Sequence, residues 1–411
     1  MKAAIRHLKR NRRRSILTLL AVLIPVYSLV VMFGLAGGNL RDMFDTATRL
    51  DTGHLQIRHA ERRGMGSALP LIKDPDEIIS TLDRIEGIAW RTLRLDLPAI
   101  ASVGERSQAI VVQGVVPEEI DPISSMRGLI LAGRYLTSKD EGVVIGEELA
   151  KLLKIDVGDE MVILGVHPET GVGALKVPIL GIYSTPAAAM GRTIIQAPLD
   201  VARRLAHSIA GATAVVVRVA GVTGPWDARR IDRVVAELRA ILPSDYEVLD
   251  WRRLAPQVAS YMAIIKPALF IFAAVFFGLG ALVVLNTVYL SVIERTRELG
   301  LIISLGASQW RVIRMILLEA GILSATGAVY GALAGVSLVW IVEAFGGLPL
   351  PAAFSSMMKA IGMNPVLHLR VSFSQVALSA AAMAGVAVIA AWYPARRASR
   401  LEPVEAMRYV G

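Results

Sequence analysis

The sequence predicts a membrane protein in which four transmembrane α-helices carry a large α+β extracytoplasmic domain inserted between helices one and two. Three observations lead there. The chain has 411 residues, 54% hydrophobic and 19% charged, against about 45–50% and about 25% in an average soluble chain, and its mean hydropathy is +0.53. Four apolar stretches are long enough to cross a bilayer. Between the first two lie about 230 residues with mixed strand and helix periodicity.

Residues 1–15 form a basic N-terminus containing Lys2, Arg6, Lys9, Arg10, Arg12, Arg13 and Arg14 and no acid. The net charge of +9 is therefore unevenly placed. A basic cluster directly before an apolar run reads as a membrane flank rather than a nucleic-acid site. Residues 16–36 form the first span. Ile16–Leu35 carries no charge and would be about 30 Å long as a helix, matching the hydrocarbon core. It exceeds the roughly 7–15 residues of a signal-peptide core, which favours an uncleaved helix. Pro25 should kink it. The chain has no cysteine, which excludes a disulfide framework, a thiolate metal site and a lipid-modified N-terminal Cys.

Residues 37–266 form the extracytoplasmic domain, with 37–50 prolonging the first helix as a stalk. Two β-α-β units recur in it. The first runs from the strand Gly53–His59 through a helix with Asp74 as its N-cap candidate to the strand at 89–101. The second runs from Ala212–Ala220 through an amphipathic helix, with Ile231, Val234, Val235, Leu238 and Leu242 on one face, to the strand at 246–251. They suggest one split α+β subdomain, about 50–113 and 199–255, with a β-rich insertion at about 114–198. Inside the insertion, His167–Lys176 reads as a hairpin tip turning at Gly171 and Gly173.

The remaining spans are 267–293, 315–342 and 371–395, joined by a cytoplasmic loop at 294–314 and an outer loop at 343–370, with a cytoplasmic C-terminus at 396–411. The third carries one acid near its start, Glu319. Placing the N-terminal cluster inside also places Arg295, Arg297, Arg311, Arg314, Arg396, Arg397, Arg400 and Arg408 inside. Both termini are therefore expected in the cytoplasm. Gly327, Gly331 and Gly335 share one face of the third helix and should pack closely on another helix, with the alanine-rich fourth as the candidate. Asn286 is the strong polar side chain of the second and is expected to bond across helices.

No G-x-x-x-x-G-K-[ST], G-x-S-x-G or H-E-x-x-H pattern occurs, and no catalytic constellation or metal site is expected. His54 and His59 read as surface residues.

The segment with the densest information is "ERTRELGLIISLGASQW", Glu294–Trp310. Glu294, Arg295, Arg297 and Glu298 follow the second span at once. An ordinary interfacial turn predicts bases alone, because acids near a membrane are costly. Mixed signs suggest ion pairs that fix geometry, or contacts to a protein below. Gly300 should break the helix or allow close approach, Gly306 should end the short piece containing Leu305, and Ala307 and Ser308 lead into the next helix.

The pattern E-R-x-R-E-x-G-x-x-x-x-x-G-A resembles the signature loop of the FtsX-like/MacB-type (type VII) ABC transporter permeases. "YPARRASRLEPVEAMRY" (Tyr393–Tyr409) resembles that family's ending, with Met407 where leucine is usual. "GVVPEEIDPI" and "GVVIGEELAKLLKIDVGDEMVIL" look most like its lipoprotein-releasing LolC/LolE branch. The resemblance implies a non-catalytic permease subunit of the bacterial inner membrane. It would pair with a second permease subunit, identical or sister, and sit on a cytoplasmic ABC ATPase dimer. ATP and Mg would be held by that partner, with no cofactor on this chain. Glu294, Arg295, Arg297, Glu298, Gly300, Leu305, Gly306 and Ala307 would couple to the ATPase. Mechanotransmission would move the outer domain and release a lipoprotein or other membrane-derived cargo. His167, Pro168 and Glu169 occupy the place where some members carry a long carrier-recruiting hairpin. The tip here is short, so the chain recruits no carrier, is the sister subunit, or serves another cargo as a homodimer. Two further family readings stay open: MacB-like export of peptides or small molecules, and FtsX-like signalling to a cell-wall hydrolase. The second usually goes with a much smaller outer domain.

Overall fold

The computed structural model describes residues 12–60, 70–72, 74–120, 123–167, 171–185, 188–207, 211–360 and 365–400. The chain divides into two compact units. One draws on Met1–Asn39, Ala263–Leu348 and Leu367–Gly411, the other on Leu40–Met262 and Pro349–Val366.

The first unit is helical. Among the described residues, four helices are long and apolar enough to cross a membrane. The first, α1 (Arg12–Ala47), continues through Pro25 and ends in a π-helical turn, Thr48–Thr52. The other three are α6 (Pro256–Glu294), α8 (Gln309–Ala344) and α10 (Phe373–Ala398), with the short α9 (Ala352–Ala360) between the last two in the chain. Ser372 starts α10 with a reciprocal capping box to Gln375, which satisfies two otherwise orphaned donors. Val22, Val26, Val284, Val288, Ala328, Met383, Ala387 and Ala391 form the core of this unit.

In the second unit, α2 (Pro75–Leu82) lies between β1 (Leu55–His59) and β2 (Ile88–Val103). Similarly, α5 (Ala228–Ile241) lies between β9 (Ala214–Val219) and β10 (Tyr246–Asp250). The strands pair antiparallel in the order β10-β1-β9-β2, so the two predicted units interleave into a split β-α-β, or ferredoxin-like, arrangement. Ile231, Val234, Val235 and Leu238 are buried on the inner face of α5. Asp74 occupies the N-cap of α2, but its side chain makes no capping bond.

The intervening strands are β3 (Arg106–Val115), β4 (Ile130–Gly133), β5 (Val143–Gly146), β6 (Glu160–His167), β7 (Gly171–Tyr183) and β8 (Ile194–Pro198), with α3 (Glu147–Leu153) after β5. They do not form a detached lobe, as a simple insertion would. β2 pairs with β9 through residues 88–94 and with β3 through 94–103, and β6 joins its far end. β3–β8, β8–β5, β5–β7 and β7–β6 pairing then closes a ring that returns to β2. Leu95, Leu97, Ile110, Val112, Ile145, Met161, Ile163, Val177, Ile179 and Ile195 alternate into its core, as period-two strands require. One long strand therefore belongs to both halves, and all the strands named form one sheet.

The hairpin β6–β7 also differs from expectation. Gly171 has φ +95° at the turn, but Gly173 pairs with Gly165 inside the ladder. Both are glycines because the end of α4 (Leu199–Leu205) plugs the ring there: a side chain at either would run into Leu205. His167 pairs with Gly171, while Pro168 and Glu169 lie outside the described residues. His54 is not on the surface. It is 3% exposed, accepts the Val219 N–H at Nδ1 (3.0 Å) and lies against Phe44.

Candidate coupling elbow

The elbow between α6 and α8 is built from its capping chemistry. Thr296 donates its hydroxyl to the Val292 and Ile293 carbonyls at 3.1 and 2.8 Å, satisfying acceptors that the end of α6 leaves open. Arg295 breaks from helical geometry at φ −108°, and α7 (Thr296–Ser304) begins. Gly300 does not break this helix. It is buried within it beside Leu299, and Leu299 packs with Val312, Ile313 and Ile316 of α8. The break comes at Gly306, φ +90°. Its N–H bonds the Ile303 carbonyl at 2.9 Å, and the Ala307 N–H bonds the Ile302 carbonyl at 3.2 Å. This is a Schellman closure, which needs a left-handed residue. Ser308 then holds extended N-cap geometry, without a side-chain cap, and α8 starts.

One ion pair ties the elbow to the third span. Arg295 donates from Nη1 to Glu319 Oε2 at 3.0 Å and to Oε1 at 3.3 Å, with both side chains about one-fifth exposed. The acid inside the third span thus has its partner in the predicted coupling set. In the sequence Glu319 is legible only as a lone carboxylate about one helical turn inside an apolar run, with no role attached to it. Glu294, Arg297 and Glu298 face outward, and Leu301, Leu305 and Trp310 present apolar surface, Leu305 being 80% exposed. Trp310 stacks edge-on to Trp392 at 5.9 Å, and Arg397 lies over the Tyr289 ring. Residues 401–411, which hold most of the C-terminal motif, lie outside the described residues, as do residues 1–11.

The predicted packing residues are placed differently from expectation. Gly327, Gly331 and Gly335 face α1, not α10. A Cβ on them would lie 2.8 Å from the Leu19 carbonyl, 2.5 Å from the Leu23 carbonyl and 2.8 Å from Val30. The alanines of α10 pack on α8 through a different face. The physical reason is size: backbone-to-backbone approach needs no Cβ on one side. Asn286 is exposed on α6, not buried against another helix among the described residues. Gly280 is the glycine of α6 at a close contact, beside Met383 and Pro25.

Four spans, an α+β domain after the first and a charged, glycine-closed elbow after the second define a membrane permease of the ABC type. Two family models match: the MacB-like periplasmic core domain over residues 15–241 and the FtsX-like permease C-terminal region over residues 270–403. The chain belongs to the FtsX-like/MacB-type (type VII) ABC transporter permease family. It is 22% identical to the lipoprotein-releasing system transmembrane protein LolC of Xylella fastidiosa, covering 98% of this chain and 97% of that protein. It is 25% identical to the macrolide export ATP-binding/permease protein MacB of Wolinella succinogenes over 99% of this chain, and spans 60% of that relative's length. The periplasmic region of MacB from Actinobacillus actinomycetemcomitans aligns with 52% of this chain and 95% of its own, at 14% identity and a TM-score of 0.34.

Proposed function

We propose that this chain is the permease subunit of an ABC complex that couples ATP hydrolysis on a separate cytoplasmic ATPase to the release of lipoproteins from the inner membrane. The observation that carries the reading is the elbow. An apolar tip, Leu301, Leu305 and Trp310, is exposed where α7 hands over to α8, and the break that starts α7 is pinned to the third span by Arg295–Glu319. That is the build of a rigid coupling element for a protein partner. ATP and Mg belong to that partner. A second permease copy or sister completes the complex, and the basic clusters put both termini in the cytoplasm.

The cargo reading draws on the two-way coverage of the LolC relative and on energetics. Burial is worth about 0.8 kcal/mol per CH₂, so a cargo with two or three acyl chains would need on the order of 20–35 kcal/mol to leave the bilayer for water. Thermal release is negligible, and coupling to ATP with an apolar shelter is required. The test is co-purification with the partner ATPase, reconstitution in nanodiscs, and ATP turnover with and without a triacylated lipoprotein. Stimulated turnover and transfer of the lipoprotein are expected; the absence of both would refute the reading.

The match to the MacB-like core domain favours a second reading, export of a peptide or small molecule from the periplasm. Stimulation by such a compound, with no response to lipoprotein, would select it.

A further inference from the structure

The end of α1 is held in an unusual way. Its last turn is π-helical, Thr48–Thr52, a geometry seen mostly as single turns and often at functional positions. The final carbonyls of a helix normally face water or a capping residue. Here the domain takes them up one by one. Arg94 Nη1 donates to the Asp51 carbonyl, Gln56 Nε2 to the Thr52 carbonyl at 2.8 Å and the Ser125 N–H to the Arg49 carbonyl at 3.3 Å. Gln113 Nε2 adds a bond to the Asp51 carboxylate at 3.2 Å.

Arg94 is the centre of this grip. Its side chain is 5% exposed and its Nε and Nη2 are locked on Asp96 Oδ2 at 3.1 and 2.9 Å. In β2 it is the residue paired at once with Ala214 of β9 and Val115 of β3. It therefore stands where β2 passes from the ferredoxin-like half to the closed ring.

We propose that Arg94 is a positioning residue that welds the π turn of α1 to the one strand shared by both halves, so that displacement of α1 reaches both halves through that strand. A lysine cannot reproduce this, because one ammonium cannot hold the planar fork on Asp96 and the Asp51 carbonyl together. The inference rests on the reading that α1 moves during the transport cycle. The weld itself is testable without nucleotide, ATPase or cargo, so its failure is separate from failure of that reading.

The cysteine-free chain allows clean double spin labelling of the full-length protein in nanodiscs. One pair, Thr46→Cys with Glu105→Cys, reports α1 against the ring. A control pair, Glu105→Cys with Glu237→Cys, reports the two halves against each other. In Arg94→Lys the first distance distribution should broaden at least twofold while the control stays unchanged. An unchanged first pair, or equal broadening of both, would overturn the proposal, since Arg94 would then serve only the fold. If Arg94→Lys does not yield folded protein, Asp51→Ala decides by the same two readouts: it removes the half-exposed carboxylate that Arg94 Nη1 holds at 3.4 Å and Gln113 Nε2 at 3.2 Å, and broadening confined to the first pair is again the expected result.

Discussion

Arg295 and Glu319 meet across the elbow, Nη1 to Oε2 at 3.0 Å, although 24 positions separate them in the chain. The pair fixes the angle at which α7 leaves the second span, because the arginine sits at the break and the glutamate sits on α8. Removing one partner leaves the other charge in a mostly desolvated place, which costs more than the pair contributes.

Glu319→Arg should therefore lower thermal stability and weaken ATPase association, and Arg295→Glu should do the same. The charge-swapped double variant should recover part of both. A double-mutant cycle on thermal unfolding in detergent should show a coupling of about 1–2 kcal/mol. Additive effects would show that the pair is incidental.

At Gly306, φ of +90° excludes most side chains. Gly306→Val should cost about 1–2 kcal/mol locally and open the Schellman closure. The protein should still insert, and pull-down of the ATPase should be lost. Glu298→Lys, on the exposed face of α7, should also lose the ATPase. Normal co-purification of both variants would remove the elbow from the coupling role.

Close packing of the third span on the first makes Gly331 intolerant. Gly331→Leu drives a side chain into the Leu23 carbonyl and should destabilise by about 1–3 kcal/mol, the usual range for overpacking. Gly385→Leu meets open space on α10 and should be neutral. Fluorescence-monitored thermal unfolding of the two variants in detergent distinguishes them.

His54 makes the α+β domain sensitive to mild acid. Burial, followed by the nearby Arg218 charge, lowers its pKa from 6.5 to about 4. The folded state thus binds the proton less well than the unfolded state. The stability from the neutral ring is fully present above pH 6.5 and is lost as pH falls through 6.5 towards 4, up to about 3 kcal/mol. The thermal midpoint of the wild type should fall between pH 7.5 and 5, and His54→Gln should show a smaller fall across that window. Equal falls in both would exclude His54 as the source.

Much of the architecture is legible along the chain, because its signals are local. Apolar length marks the spans, period-two alternation marks strands such as 214–219, and the 3.6-residue repeat of Ile231, Val234, Val235 and Leu238 marks α5. The elbow residues are legible as well, since a helix end next to charge and a left-handed glycine have short-range chemistry.

What tertiary structure alone decided are the partners. The Gly327–Gly335 stripe declares a close approach, but the approaching backbone comes from α1, about 300 positions upstream. The Arg94-x-Asp96 repeat places two charges on one strand face, yet only the folded chain brings Asp51 to them. The length of β2 does not reveal that its two ends belong to different halves of one sheet. Periodicity specifies which face of an element is buried; the element that covers it depends on long-range packing, to which sequence spacing is blind.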